Sequence, residues 1–201
     1  MRTEATNDEG SGMPDDLRAR REDSPGERGA TLISRIVIDA SIEDVWREIT
    51  KTDEPQLAMF GAKMHRLTLD AGSPIRMRTP DGVFTSVVGE ILEADPPFRF
   101  SHTMKFTAYD DPYCKVTYDL REVEGGVEFT LTSEAVPPGT KTHKAMQRGG
   151  DFIVKTLKEV LERGRPAAGT RAIYAVMGLM TPLITPKQCK SELWPLEANR
   201  G

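Results

Sequence analysis

The stretch from Thr140 to Glu162, with THKAMQRGGDFIVKTLKEVLE at its heart, constrains this chain more than any other. Met146, Ile153, Leu157, Val160 and Leu161 keep returning to one side of a 3.6-residue helix, with Phe152 beside them. Lys155, Lys158, Glu159 and Glu162 fill much of the opposite side. A helix with one apolar face needs a surface to lie on. Everything between Leu32 and Pro138 reads as strands that wrap that face. A curved sheet closed around one long helix is a cup, and its concave side is where a small-molecule site is expected.

The strands carry their own signal. LISRIVIDA, from Leu32, is dense in β-branched residues. Ser41 then sits where a helix N-cap belongs, and Ile42, Val45, Trp46 and Ile49 share one face of a short helix. Pro55 opens a second short helical turn, PQLAMF, which Gly61 ends. Strands follow at 63–69 and 75–79. In the next three, Phe98, Phe100, His102, Met104 and Phe106 oppose Arg99, Ser101, Thr103 and Lys105. Cys114, Val116, Tyr118 and Leu120 alternate with polar residues, as do Val127, Phe129 and Leu131. Gly125-Gly126 supplies the hairpin turn between those last two runs. Alternation of this kind means an antiparallel sheet with one wet face.

Composition narrows the choices. A chain of 201 residues holds one good-sized core or two small domains. Residues 1–30 are nearly free of apolar side chains and are expected to be a disordered tail. The net charge of −4 argues against nucleic acid as the main partner. No apolar run reaches the roughly 20 residues that span a bilayer, so membrane insertion is not expected. MRTEATNDEG is acidic where a secretory signal needs a basic start. Cys114 and Cys189 form no metal-type spacing, so the expected setting is the cytoplasm, with reduced thiols.

GEILEADPPFRF, from Gly89 to Phe100, resembles the strand–Pro-Pro–strand signature of the activator of heat-shock-protein-90 ATPase homologue family. That family belongs to the START-like, or SRPBCC, superfamily, whose fold is that of the birch-pollen allergen. DASIEDVWREIT, GGVEFTLTSE and FIVKTLKEVLE match three further pieces, so the resemblance covers about Leu32 to Arg163. It implies an α+β helix-grip fold: a curved antiparallel sheet of about six or seven strands around a long C-terminal helix, with two short helices after the first strand. One departure stands out. Members often carry Gly-Trp where this chain has Gly149-Gly150.

The expected organisation is therefore a tail over 1–30, a START-like ligand-binding domain over 31–164 and a C-terminal extension over 165–201. In the extension, Ile173, Val176, Met177 and Met180 form an apolar stripe, and TPLITPK and ELWPL are expected to be extended, Pro-punctuated stretches. It is too apolar to be a solvated tail and is expected to dock on the domain, on a second copy as a homodimer, or on a partner.

The concave wall is expected to present His65, Phe100, His102, Met104, Cys114, Val116, Tyr118 and Phe129 from the sheet. The helix should add Met146, Gly149, Gly150 and Ile153. The glycine pair is expected to open space where relatives carry an indole. His102, Tyr118 and His143 are the candidates for acid–base chemistry. No H-x-H, HExxH, CxxC, phosphate loop or dinucleotide fingerprint exists, so neither metal nor cofactor is expected. The leading function is non-catalytic binding of an apolar or amphipathic small molecule, lipids included. A cofactor-free enzyme of the START-like cyclase or dehydratase type is the second. The third, a co-chaperone stimulating an ATPase, rests on the family name alone, and fold does not carry function, so a chaperone partner is not expected.

Overall fold

The computed structural model describes residues 29–196, so the expectation of a disordered tail lies almost wholly outside the described residues. Seven strands run β1 (Ala30–Ile38), β2 (Lys63–Arg66), β3 (Pro74–Arg78), β4 (Thr85–Asp95), β5 (Arg99–Phe106), β6 (Cys114–Val123) and β7 (Gly126–Val136). They form one antiparallel sheet in the order β1-β7-β6-β5-β4-β3-β2. Helix α1 (Ile42–Thr50) follows β1 and helix α2 (Lys141–Arg163) follows β7. This is the α+β helix-grip arrangement: a curved sheet with a long helix against it.

Local chemistry sets the boundaries. Ser41 caps α1 by accepting from the Asp44 N–H, and Ile42, Val45 and Ile49 are buried beneath it. Thr140 caps α2 through the His143 N–H, and Gly164, at φ 71°, ends it in the left-handed conformation. The second short helix expected after β1 is only a 3₁₀ turn, Leu57–Met59, because Phe60 and Gly61 both turn to positive φ. The strand expected over 63–69 stops at Arg66. Phe98 does not join the inward row either: it is exposed in the Pro96-Pro97 turn, whose peptide bond is cis.

Register decides which residues look inward. Met64 pairs with Met77, and Ile91 with His102. His102 pairs with Val116, which pairs with Ser133, which lies beside Leu32 across β7 and β1. These partners share the concave face. The core on that face joins Ile38, Ile75, Ile91, Phe100, Leu120, Val127 and Phe129 to Val45 and Ile49 of α1 and to Val154 and Leu157 of α2.

After the break 164–167 the chain turns 116° into a third helix, α3 (Ala168–Ile184), which runs through Pro182. The stretch TPLITPK, read from its prolines as extended, is thus helical as far as Ile184. The chain then returns to its own body. Ser191 N–H donates to Val83 O at 2.9 Å, and the hydroxyls of Ser191 and Thr85 lie 3.0 Å apart. Gln188 Nε2 donates to Thr107 O at 3.0 Å, Arg78 Nη2 donates to Trp194 O at 3.2 Å, and Cys189 is buried.

Candidate functional site

The floor of the concave face is aromatic and solid. Phe100 and Phe129 are fully buried, and Tyr118 lies between them at ring separations of 6.1 and 5.6 Å. Trp46 of α1 meets Phe100 edge-on at 6.2 Å. Antiparallel pairing sets Phe100, His102 and Met104 of β5 beside Tyr118, Val116 and Cys114 of β6. Helix α2 adds Met146 and Ile153, both half-buried against the core. The residues expected on the wall are thus not equally placed: the aromatic end is filled, while the end bounded by Met104, Met146 and Ile153 is only partly covered. Met59 and Met77 belong to the same half-buried fringe. Sequence reading passed over both, although Met77 alternates with Arg76 and Arg78 in β3.

Two polar groups sit on this apolar floor, their rings 5.9 Å apart. His102 Nδ1 lies 2.8 Å from Thr103 O. A carbonyl only accepts, so Nδ1 carries the hydrogen and Nε2 is the free acceptor in the neutral ring. Burial pushes the imidazole below its ordinary pKa, partly offset by that hydrogen bond, and so keeps it neutral. Burial also drives the Tyr118 hydroxyl up, holding it protonated as a donor. Among the described residues neither His102 Nε2 nor the Tyr118 hydroxyl has a hydrogen-bond partner. Neither atom is among those sealed from solvent without a partner, so both can be reached by water or by a guest on the concave face.

Cys114 is different. Its Sγ lies 3.4 Å from Met104 O and 3.5 Å from Met146 Sδ, and burial raises its pKa to about 11. A thiol so protonated packs rather than reacts.

Other expected wall residues lie elsewhere. His65 pairs with Arg76, on the face opposite the Met64–Met77 pair, so it looks away from the cup. Its pKa is lowered by burial first and then by Arg78 and Lys63. His143 sits in the first turn of α2, where its Nδ1 accepts from the Gly139 N–H at 3.3 Å. It therefore caps a loop and does not meet Tyr118. The glycine pair does not open the cup. A Cβ at Gly150 would lie 2.8 Å from Ser34 Oγ, and one at Gly149 would meet Phe60 at 3.9 Å. Gly150 lets α2 approach β1, where Ser34 donates to Asp151 at 2.8 Å, whereas a side chain at Gly149 would make only an ordinary contact with Phe60. No group of three or more metal-ligating side chains occurs among the described residues.

The fold and this face define a START-like helix-grip protein. More narrowly, the chain belongs to the family described as activator of Hsp90 ATPase homolog 1-like protein, whose model matches residues 39–162. Solved structures agree on the fold. The protein MLL2253 from Mesorhizobium loti is 19% identical with a TM-score of 0.56, the match covering 67% of this chain and 98% of that one. The Aha1 dimer from Colwellia psychrerythraea is 18% identical with a TM-score of 0.53, covering 67% and 98%. CalU16 from Micromonospora echinospora is 20% identical with a TM-score of 0.52, covering 74% and 83%. No curated protein matches the sequence significantly.

Proposed function

We propose that the protein binds a small apolar or amphipathic molecule at the methionine-bordered end of the concave face, without obligatory catalysis. The observation that carries this reading is the pair of unpartnered polar atoms, Tyr118 Oη and His102 Nε2, on an otherwise apolar floor. One donates and one accepts, which suits a ligand bearing a carbonyl or hydroxyl at one end. Met104, Met146, Met77 and Met59 are unbranched and polarizable, so they adjust to a guest that Leu or Ile would exclude. Two hollows lie outside the cup, at the α2–α3 elbow and along α2 beside Ile36, and the flexible methionines would move aside for a guest entering the cup itself. The free, buried thiols of Cys114 and Cys189 fit a reducing, cytoplasmic setting.

Native mass spectrometry of the protein from its own host tests this. A co-purifying small molecule, lost or strongly depleted in Tyr118→Phe, supports the reading. A molecule retained equally by Tyr118→Phe and by Met146→Glu would place its site elsewhere and sink the proposal.

A cyclase or dehydratase role draws on the same two groups. His102 Nε2 is free to take a proton, and its lowered pKa makes it a weak base with the conjugate acid sparsely populated. If turnover exists, His102→Gln should reduce it by about 10² to 10⁴-fold with binding intact.

A further inference from the structure

Helix α3 is amphipathic the wrong way round. Thr170, Tyr174 and Thr181 lie on one side at helical spacing and are its half-covered positions, and the capping residue Thr185 continues that side. Tyr174 fixes that side to the body: its hydroxyl donates to Leu57 O and its ring meets Phe152 edge-on at 6.1 Å. The opposite side carries Ile173, Val176, Leu179, Met180 and Leu183, with Leu179 78% and Leu183 79% exposed. No residue of the helix is buried. A stripe of this size turned to water marks a binding face.

Charge names what it binds. From Arg163 to Ser191 the chain carries Arg163, Arg165, Arg171, Lys187 and Lys190 and not one carboxylate, in a protein whose net charge is −4. Arg163, Arg165 and Arg171 line a hollow of about 360 Å³ at the α2–α3 elbow, together with Pro166, Ala167 and Ala168. Lys187 and Lys190 stand past the other end, about 26 Å away at 1.5 Å per residue. Among the described residues only Lys190 of these five is ion-paired, with Glu192 at 3.3 Å. A homodimer through the apolar stripe would bring two such cation-rich ends together, the carboxylates at hand, Glu159 on the Ala167 N–H and Glu192 on Lys190, being already engaged. An anionic lipid surface suits both features. No single helix among the described residues is long and apolar enough to cross a membrane, so α3 would lie in the interface.

We propose that α3 docks on anionic lipid bilayers, its Val176–Leu179–Leu183 side sunk among the acyl chains and the arginine-lined elbow holding lipid phosphates. This goes beyond ligand binding in the cup and does not depend on it. The test uses the full chain in flotation with vesicles of phosphatidylcholine, alone or enriched in phosphatidylserine. The protein should float with the serine-lipid vesicles only and should be released by high salt. Each cation removed near an anionic surface should weaken partitioning about five-fold, the equivalent of about 1 kcal/mol, so Arg165→Glu with Arg171→Glu should lose at least about 25-fold. Leu179→Asp with Leu183→Asp, both at exposed positions, should abolish flotation while circular dichroism and melting stay unchanged. Failure to float with either vesicle overturns the proposal. So does equal flotation of the Asp variant, or a wild-type dimer in light scattering that the Asp variant splits.

Discussion

Helices α2 and α3 follow one another across four residues, yet they treat their apolar residues in opposite ways. Helix α2 turns Val154, Leu157 and Val160 into the core and leaves Lys155 and Glu162 to water. Helix α3 turns its threonines and Tyr174 toward the body and leaves leucines outside. The difference teaches that an apolar stripe says a helix will be covered, but not by what. In α2 the sheet of the same chain supplies the cover. In α3 the polar anchor on Leu57 and the returning segment at Val83 and Thr85 hold the helix in place without covering it.

The sharpest way to break this contrast is a matched pair of truncations. Leu157→Ala, at a position with no exposure, should cost about 2 to 5 kcal/mol in chemical denaturation. Leu183→Ala should stay within about 0.5 kcal/mol without lipid. Equal losses would mean that α3 is packed after all.

Next comes the thiol beneath Met146. With its pKa raised from 9.0 to about 11, native Cys114 should present about 100-fold less thiolate than a free thiol, by two powers of ten. Labelling by a thiol reagent should accelerate by that order on unfolding. Fast labelling of the native protein would show the gripped side to be open.

The glycines offer a third comparison. Gly150→Trp should destabilise by about 1 to 3 kcal/mol, because even a Cβ there meets Ser34. Gly178, in α3, has nothing within 4 Å of an added Cβ, so Gly178→Ala should stabilise by up to about 1 kcal/mol through helix propensity alone. A loss at Gly178 would reveal an unseen contact on the bare helix.

The smallest expected effect is in acid. The folded pKa of His102 is depressed, so the unfolded chain takes up the proton first. Its contribution is fully present above about pH 6.5, the ordinary histidine value, and is lost as pH falls toward the folded pKa. Unfolding free energies should therefore fall more steeply below that pH in wild type than in His102→Gln. Parallel curves would show that His102 is not desolvated.

The strand alternation and the 3.6-residue period of Met146 to Leu161 determined by themselves that this chain makes an antiparallel sheet around a long helix. Those periods state burial directly, residue by residue. They also put Cys114 and Tyr118 on one face of their strand and His102 among the apolar residues of its own, because alternate residues of a strand share a face. Where the signal was ambiguous, only tertiary structure decided. His65 lies in a four-residue strand beside both apolar and basic neighbours, and its face was set by pairing with Arg76, a partner in another strand. Gly150 is equally consistent with a hollow or with a close approach until β1 is in place, and Ser34 makes it the latter. The stripe of α3 was legible, but its direction was not. A helix's period fixes which residues lie together; the anchors that pull one side toward the body are long-range contacts, and no local pattern records them.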